Sequence, residues 1–202
     1  EGFFFDLVGV ALLVVTLDLF AQLTEGEILE LPDAFTGDFK FLADLFERQI
    51  LEAKRLIYAE SQYFASRAVA QTIARRLAEP EGPEFVLINP TTSDNWLGQI
   101  AMDTARARLV ESLRRHDKHG RFRIYHPVTA GGQPIYVHAK LMIVDDQYLR
   151  VGSSNINNRS MRFDQECDVA LEAGGSEDLS SKITNFRNDL LAEHLDAHAS
   201  NV

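Results

Sequence analysis

From Lys54 onward, short apolar runs alternate with stretches of helical period. "RLIYAES" (Arg55 to Ser61), "EFVLINP" (Glu84 to Pro90) and "RFRIYHP" (Arg121 to Pro127) are brief β-rich runs bounded by turn residues, and each predicts a strand. "SRAVAQTIARRLAE" (Ser66 to Glu79) has helical spacing with Ser66 as N-cap, and "EPEGP" (Glu79 to Pro83) follows as a turn. Gln99 to Lys118 places Ala, Leu and Val on one face and Arg on the other, a long helix that Gly120 ends. After the loop "TAGGQP" (Thr129 to Pro134), the pattern predicts strands at Ile135 to Val144 and Tyr148 to Gly152, joined tightly through "DDQ". A strand at Glu166 to Glu172 and a helix at Glu177 to His198 complete the series. Such alternation predicts an α/β fold, a mixed, largely parallel β-sheet flanked by helices on both faces.

The first 53 residues are organised differently and form a separate N-terminal part, with residues 54–202 as the main domain. They hold an apolar run, an irregular acidic stretch around Glu25 to Gly37 and a helix from Asp38 to Leu51. Phe3 to Leu23 is the most apolar stretch. Asp6 and Asp18 interrupt it, and its clean run from Leu7 to Leu17 is shorter than the ~20 residues a membrane span needs. It has no basic flank, so a signal peptide fits poorly, and a buried strand is the expectation.

Composition narrows the picture a little. A chain of 202 residues is long enough for one domain with a sizeable core. Its net charge of -10 argues against a broad nucleic-acid surface, while leaving room for a local basic pocket that holds one phosphate. A membrane surface stays open as a partner. The lone Cys167 excludes an internal disulfide framework, and the compartment stays unassigned.

One segment carries chemistry: "IYVHAKLMIVDDQYLRVGSSNINNRSM", Ile135 to Met161. On a strand, residues two apart share a face, so His138 and Lys140 are expected side by side. Two cationic groups on a buried strand require an anion. Asp145 falls at the turn, where a structural role is expected. Gly152 allows close backbone approach. Ser153 and Asn155 repeat the two-residue spacing, and Glu166 adds a carboxylate at the start of the next strand. Imidazole can attack phosphorus or move a proton, Lys and Asn can stabilise phosphoryl oxygens, and a carboxylate can orient the imidazole.

His138-x-Lys140-x-x-x-x-Asp145, followed by "GSSNINNRSM" and "DQECDVALE", resembles the H-x-K-x(4)-D signature of the phospholipase D superfamily. "IYAESQYF" (Ile57 to Phe64) is similar to the segment that opens the second half of phospholipases D, and the resemblance covers roughly Ile57 to Glu172. It implies a phosphodiesterase that works through a phosphohistidine, without metal or other cofactor, on a phospholipid substrate. It also implies that two such motifs must face each other, the second coming from a preceding half or from a homodimer mate. His138 would act as acid/base partner or as nucleophile. Lys140 and Asn155 would bind phosphate oxygens, Ser153 would support them, and Glu166 would orient His138. Gln62 and Tyr63 would line the mouth of the site. "ALLVVTLDLF" (Ala11 to Phe20), with Asp18 in register, is faintly similar to the strand after a first motif, so residues 1–53 are read as the remnant of a preceding half.

Blander expectations attach to the other candidates. His116-Asp117-Lys118 has Arg123 where the motif needs Asp, and is expected as a solvated helix end. Arg159 is expected to pair with a carboxylate. His194 and His198 have metal-ligand spacing but no third ligand, and are expected as solvated helix residues. Cys167 is expected to be a small core residue. Two further readings stand beside the lipid enzyme: a small dimeric nuclease with two His138 side chains meeting across a two-fold axis, and a catalytically idle half-domain that serves as a binding module.

Overall fold

The computed structural model describes residues 41–91, 103–161, 164 and 166–199. The expected N-terminal strand and acidic stretch, and the start of the helix expected from Gln99, lie outside them. In chain order the elements are α1 (Phe41–Glu52), β1 (Leu56–Ser61), β2 (Phe64–Ala65), α2 (Arg67–Ala78), β3 (Glu84–Ile88) and α3 (Thr104–His116). They continue with β4 (Phe122–Tyr125), β5 (Lys140–Val144), β6 (Tyr148–Gly152), β7 (Ile156–Asn157), β8 (Asp168–Glu172) and α4 (Glu177–Leu195).

Six strands form one sheet in the order β4-β3-β1-β5-β6-β8. β4, β3 and β1 pair in parallel, while β5, β6 and β8 join through antiparallel ladders. Four of the six strands, β1, β3, β4 and β6, therefore run the same way, which is the mixed, largely parallel sheet expected. Side chains alternate across it. Ile57, Ala59, Phe85, Leu87, Met142 and Val144 pack under Phe46, Ile50, Val69, Ile73, Leu77 and Leu113 from α1, α2 and α3. The other face carries Tyr58, Glu60, Leu141, Ile143 and Leu149, and Glu60 meets His194 of α4 there.

Local signals explain several boundaries. The Ser66 hydroxyl accepts the Val69 N–H and caps α2 as expected. α3 ends at His116, and Gly120 follows with φ +65°, a conformation glycine adopts freely. Asp145 and Asp146 both take positive φ in the turn between β5 and β6, a conformation Asp tolerates better than most residues.

One expected element is shorter than its sequence pattern. The strand predicted from Ile135 begins only at Lys140. Its neighbours account for this. β1 pairs as far as Ser61 opposite Lys140, and the β6 ladder starts at Leu141 opposite Val151. Before Lys140 neither side offers a ladder partner. The chain instead makes one bridge between Val128 and Pro134 and then runs unpaired to the strand.

Candidate active site

The site lies where β1, β3 and β4 end, β5 begins, β6 ends and β8 begins. Ligands of α/β sheets bind at such carboxyl ends of parallel strands. Three devices fix this edge. Asn89, fully buried just past β3, donates its amide to the carbonyls of Ser61 (2.6 Å) and Gln62 (3.2 Å). Its own side-chain oxygen accepts from Arg106 at 2.7 Å. The short parallel pair β2–β7 docks the segment after β6 onto the segment after β1, and the Ser61 hydroxyl accepts the Ile156 N–H at 3.2 Å. At the foot of the loop, Arg150 and Asp168 form a buried ion pair at 2.7 Å, with side chains 2% and 1% exposed. Asp168 also receives the Ser154 N–H at 3.2 Å and the Ser154 hydroxyl, and the Arg150 guanidinium lies 4.2 Å from the centroid of the Phe46 ring.

Gly152 is required by this packing. A Cβ there would come within 1.8 Å of an Asp168 carboxylate oxygen and 2.5 Å of the Cys167 carbonyl. Asp145 holds the opposite end of the hairpin, taking the N–H groups of Lys54 (2.6 Å), Arg55 (2.8 Å) and Leu56 (2.9 Å). It therefore secures the start of the neighbouring β1 as well as its own turn, far along β5 from Lys140.

Lys140 is 9% exposed. Its ammonium donates to the His138 carbonyl at 2.6 Å and to the Gln62 side-chain oxygen at 3.1 Å. Burial pulls its pKa down from 10.5 to about 8, against the opposing influence of the Glu166 carboxylate. The Asn155 amide approaches the same Gln62 oxygen at 3.5 Å, the outer limit of a hydrogen bond. Asn155 is 8% exposed, and its own oxygen is buried with no hydrogen-bond partner among the described residues. Gln62 turns its NH2 to the hydroxyls of Tyr136 (2.5 Å) and Tyr63 (3.2 Å). The Tyr136 ring stacks on the His138 imidazole, with centroids 6.4 Å apart. Ser153 donates to Glu166 at 2.5 Å and accepts the Cys167 N–H at 2.9 Å.

Lys140, Asn155 and Gln62 thus meet directly, and the His138 ring joins them through Tyr136. Glu166 and Ser153 form an adjoining pair whose charge reaches Lys140. Three expectations need correction. His138 is exposed on the irregular segment before β5, and it is its backbone carbonyl that meets the Lys140 ammonium, so the two are not neighbours by strand alternation. His194 is not a solvated helix residue. Its Nε2 lies 3.1 Å from Glu60, whose carboxylate also accepts the Tyr58 hydroxyl at 2.5 Å. That hydrogen bond raises the His194 pKa, while burial and the neighbouring carboxylate raise that of Tyr58. Cys167 is exposed, because it opens the loop side of β8 and not its core.

Two of the blander candidates can be followed in the structure. His116 ends α3 with Nδ1 2.7 Å from the Ser112 carbonyl, and Arg159 pairs with Asp164 at 2.7 Å. Among the described residues no group of three His, Cys, Asp or Glu is arranged to hold a metal ion. No described helix is long and apolar enough to cross a membrane. Asn89, Arg106, Arg150 and Asp168 carried no signal in the sequence; for Arg150 and Asp168, buried charges at strand positions look the same in sequence as solvated ones.

Comparison with known proteins bears on this arrangement. Residues 111–202 match the family model described as phospholipase D. Phospholipase D alpha 1 of Spuriopimpinella brachycarpa is 45% identical over 67 residues, 30% of this chain and 8% of that protein. Phospholipase D alpha 2 of Oryza sativa subsp. japonica is 46% identical over 68 residues, with the same coverage of 30% and 8%. The chain therefore matches only about 8% of the length of these relatives. Among solved structures, NucT from Helicobacter pylori superposes with a TM-score of 0.54 at 14% identity, over 85% of this chain and 94% of that one. Phosphatidylserine synthase of Haemophilus influenzae Rd KW20 superposes with a TM-score of 0.57 at 17% identity, over 76% of this chain and 36% of that one. At such identities the superpositions speak for the fold. The segment that supplies His138, Lys140 and Asp145 is thus similar in sequence to phospholipase D over residues 111–202.

Proposed function

We propose that this chain supplies one motif of a two-motif phosphodiesterase of phospholipase D type, which hydrolyses or transfers the phosphatidyl group of glycerophospholipids. The observation that carries the proposal is the convergence of the Lys140 ammonium and the Asn155 amide on one point, the Gln62 side-chain oxygen, with the ammonium also on the His138 carbonyl. A cation and a neutral donor converging at a strand edge suit the equatorial oxygens of a phosphoryl group. The lipid assignment is supported by the identity shared with the plant phospholipases D alpha.

In this reading one histidine attacks phosphorus, and the P–O bond to the leaving alcohol breaks. A second histidine gives that oxygen its proton. The second histidine then takes a proton from water or an acceptor alcohol, whose oxygen displaces the first imidazole from phosphorus. When the facing motif comes from a preceding half, His138 is the acid/base partner. When two copies face each other, one His138 is the nucleophile and the other the acid. Lys140 and Asn155 hold the non-bridging oxygens, Ser153 supports them through Glu166, and Glu166 orients the imidazole.

The test is choline release from soluble short-chain phosphatidylcholine across a range of chain concentrations, with single-stranded DNA as the competing substrate. We expect turnover that rises more steeply than linearly with chain concentration and disappears in His138→Ala. Turnover unaffected by His138→Ala contradicts the assignment. Cleavage of DNA alone supports the dimeric nuclease reading. Phosphate binding without turnover of either substrate rules out a homodimeric site and leaves a site completed by a preceding half, or the idle half-domain.

A further inference from the structure

We propose that the Gln62 side-chain oxygen occupies, in the unliganded site, the position of a phosphate oxygen, holding Lys140 and Asn155 convergent until a phosphodiester displaces it. This rests on the phosphate-binding reading of Lys140 and Asn155, and adds a positioning residue to it.

The geometry has three parts. First, one acceptor atom is shared by both donors, 3.1 Å from the Lys140 ammonium and 3.5 Å from the Asn155 amide. A nearly buried ammonium requires acceptors, and the His138 carbonyl supplies only one. Second, the amide cannot be turned end for end. Its oxygen must face the ammonium, and its NH2 is held by the Tyr136 and Tyr63 hydroxyls at 2.5 and 3.2 Å. Third, the backbone beneath it is pinned, because Asn89 holds the carbonyls of Ser61 and Gln62. Displacement of the Gln62 side chain would therefore leave the strand end in place.

The choice of amide over carboxylate follows. A neutral oxygen satisfies the ammonium by a dipole, and an arriving phosphate with a full charge outcompetes it. A carboxylate of the same length would be a permanent counter-ion. Tyr136 couples the exchange to the catalytic imidazole, since its hydroxyl accepts from Gln62 and its ring stacks on His138.

The experiment is an NMR titration of the Lys140 ε-carbon against pH, paired with calorimetric binding of inorganic phosphate, on the wild type, Gln62→Glu, Gln62→Ala and Lys140→Ala. In Gln62→Glu the Lys140 titration should move up by about one pH unit or more. Its phosphate affinity should fall by roughly tenfold or more, as the fixed carboxylate repels the anion. Gln62→Ala should bind phosphate no more weakly than wild type, and Lys140→Ala should not bind it. Gln62→Glu binding phosphate as tightly as wild type overturns the inference. So does Gln62→Ala losing binding as Lys140→Ala does, since Gln62 would then be a direct ligand. A wild type that binds no phosphate defeats the underlying site reading instead, and is recognised by that result alone.

Discussion

At Lys140 burial and charge oppose each other. The side chain sits at 9% exposure with its pKa pulled down to about 8 from 10.5. The folded chain therefore binds a proton there more weakly than the unfolded chain does. The cost to stability is full below pH 8 and fades as pH rises toward 10.5. Lys140→Met should accordingly stabilise the fold at neutral pH by roughly 2–4 kcal/mol while abolishing phosphate binding. Denaturant unfolding at pH 7, set beside a phosphate titration, checks both halves; a Met variant less stable than wild type would mean that the ammonium is a structural group. The same residue marks how far the site was legible. Polar residues in an apolar run stand out in sequence, so His138 and Lys140 were visible. Their relative placement was not, because the strand stops where β1 and β6 cease to offer partners, and a local pattern carries no record of its neighbours' ends. Gln62 could be placed at the site's mouth only by resemblance, since three of its side-chain hydrogen-bond partners, Tyr136, Lys140 and Asn155, lie far from it in the chain.

Elements owe their placement to polar anchors that period-two patterning does not reveal. Arg150 and Asp168 alternate with apolar residues on β6 and β8, where charged residues normally face solvent, yet they form a buried pair under the Ser153–Asn155 loop. Removing one partner leaves the other charge uncompensated. Asp168→Ala should cost about 3–5 kcal/mol of stability. Thermal unfolding measures it, and a loss below ~1 kcal/mol would show that the pair is readily solvated. On the other face, His194 ties α4 to β1 through Glu60. Its pKa is raised in the fold, so the stabilisation it brings is complete below the unfolded value of 6.5 and is lost as pH rises through the folded one. Wild type minus His194→Ala stability should therefore shrink with rising pH across that window; a difference independent of pH would show that the imidazole does not titrate against Glu60. α2 was readable because it buries one face at helical spacing, and β1, β3 and β6 because each is a short apolar run between turn residues. The β2–β7 pair was not, because two-residue strands have no period.

For the whole molecule, the sheet order brings the ends of β1 and β6 and the starts of β5 and β8 to one edge, although these segments are up to about a hundred residues apart in sequence. The alternation of elements foretold the fold class. The edge on which the chemistry assembles follows from strand order, which depends on long-range pairing. In the proposed function this chain is half of a catalytic pair and carries a phosphate site of its own. An NMR titration with inorganic phosphate tests that claim most directly, following the His138 ring carbons and the Lys140 ε-carbon together. The account predicts that both resonances move along one saturating curve, and that Lys140→Met abolishes the His138 response. A His138 ring that ignores phosphate, or responds identically without the ammonium, would contradict it.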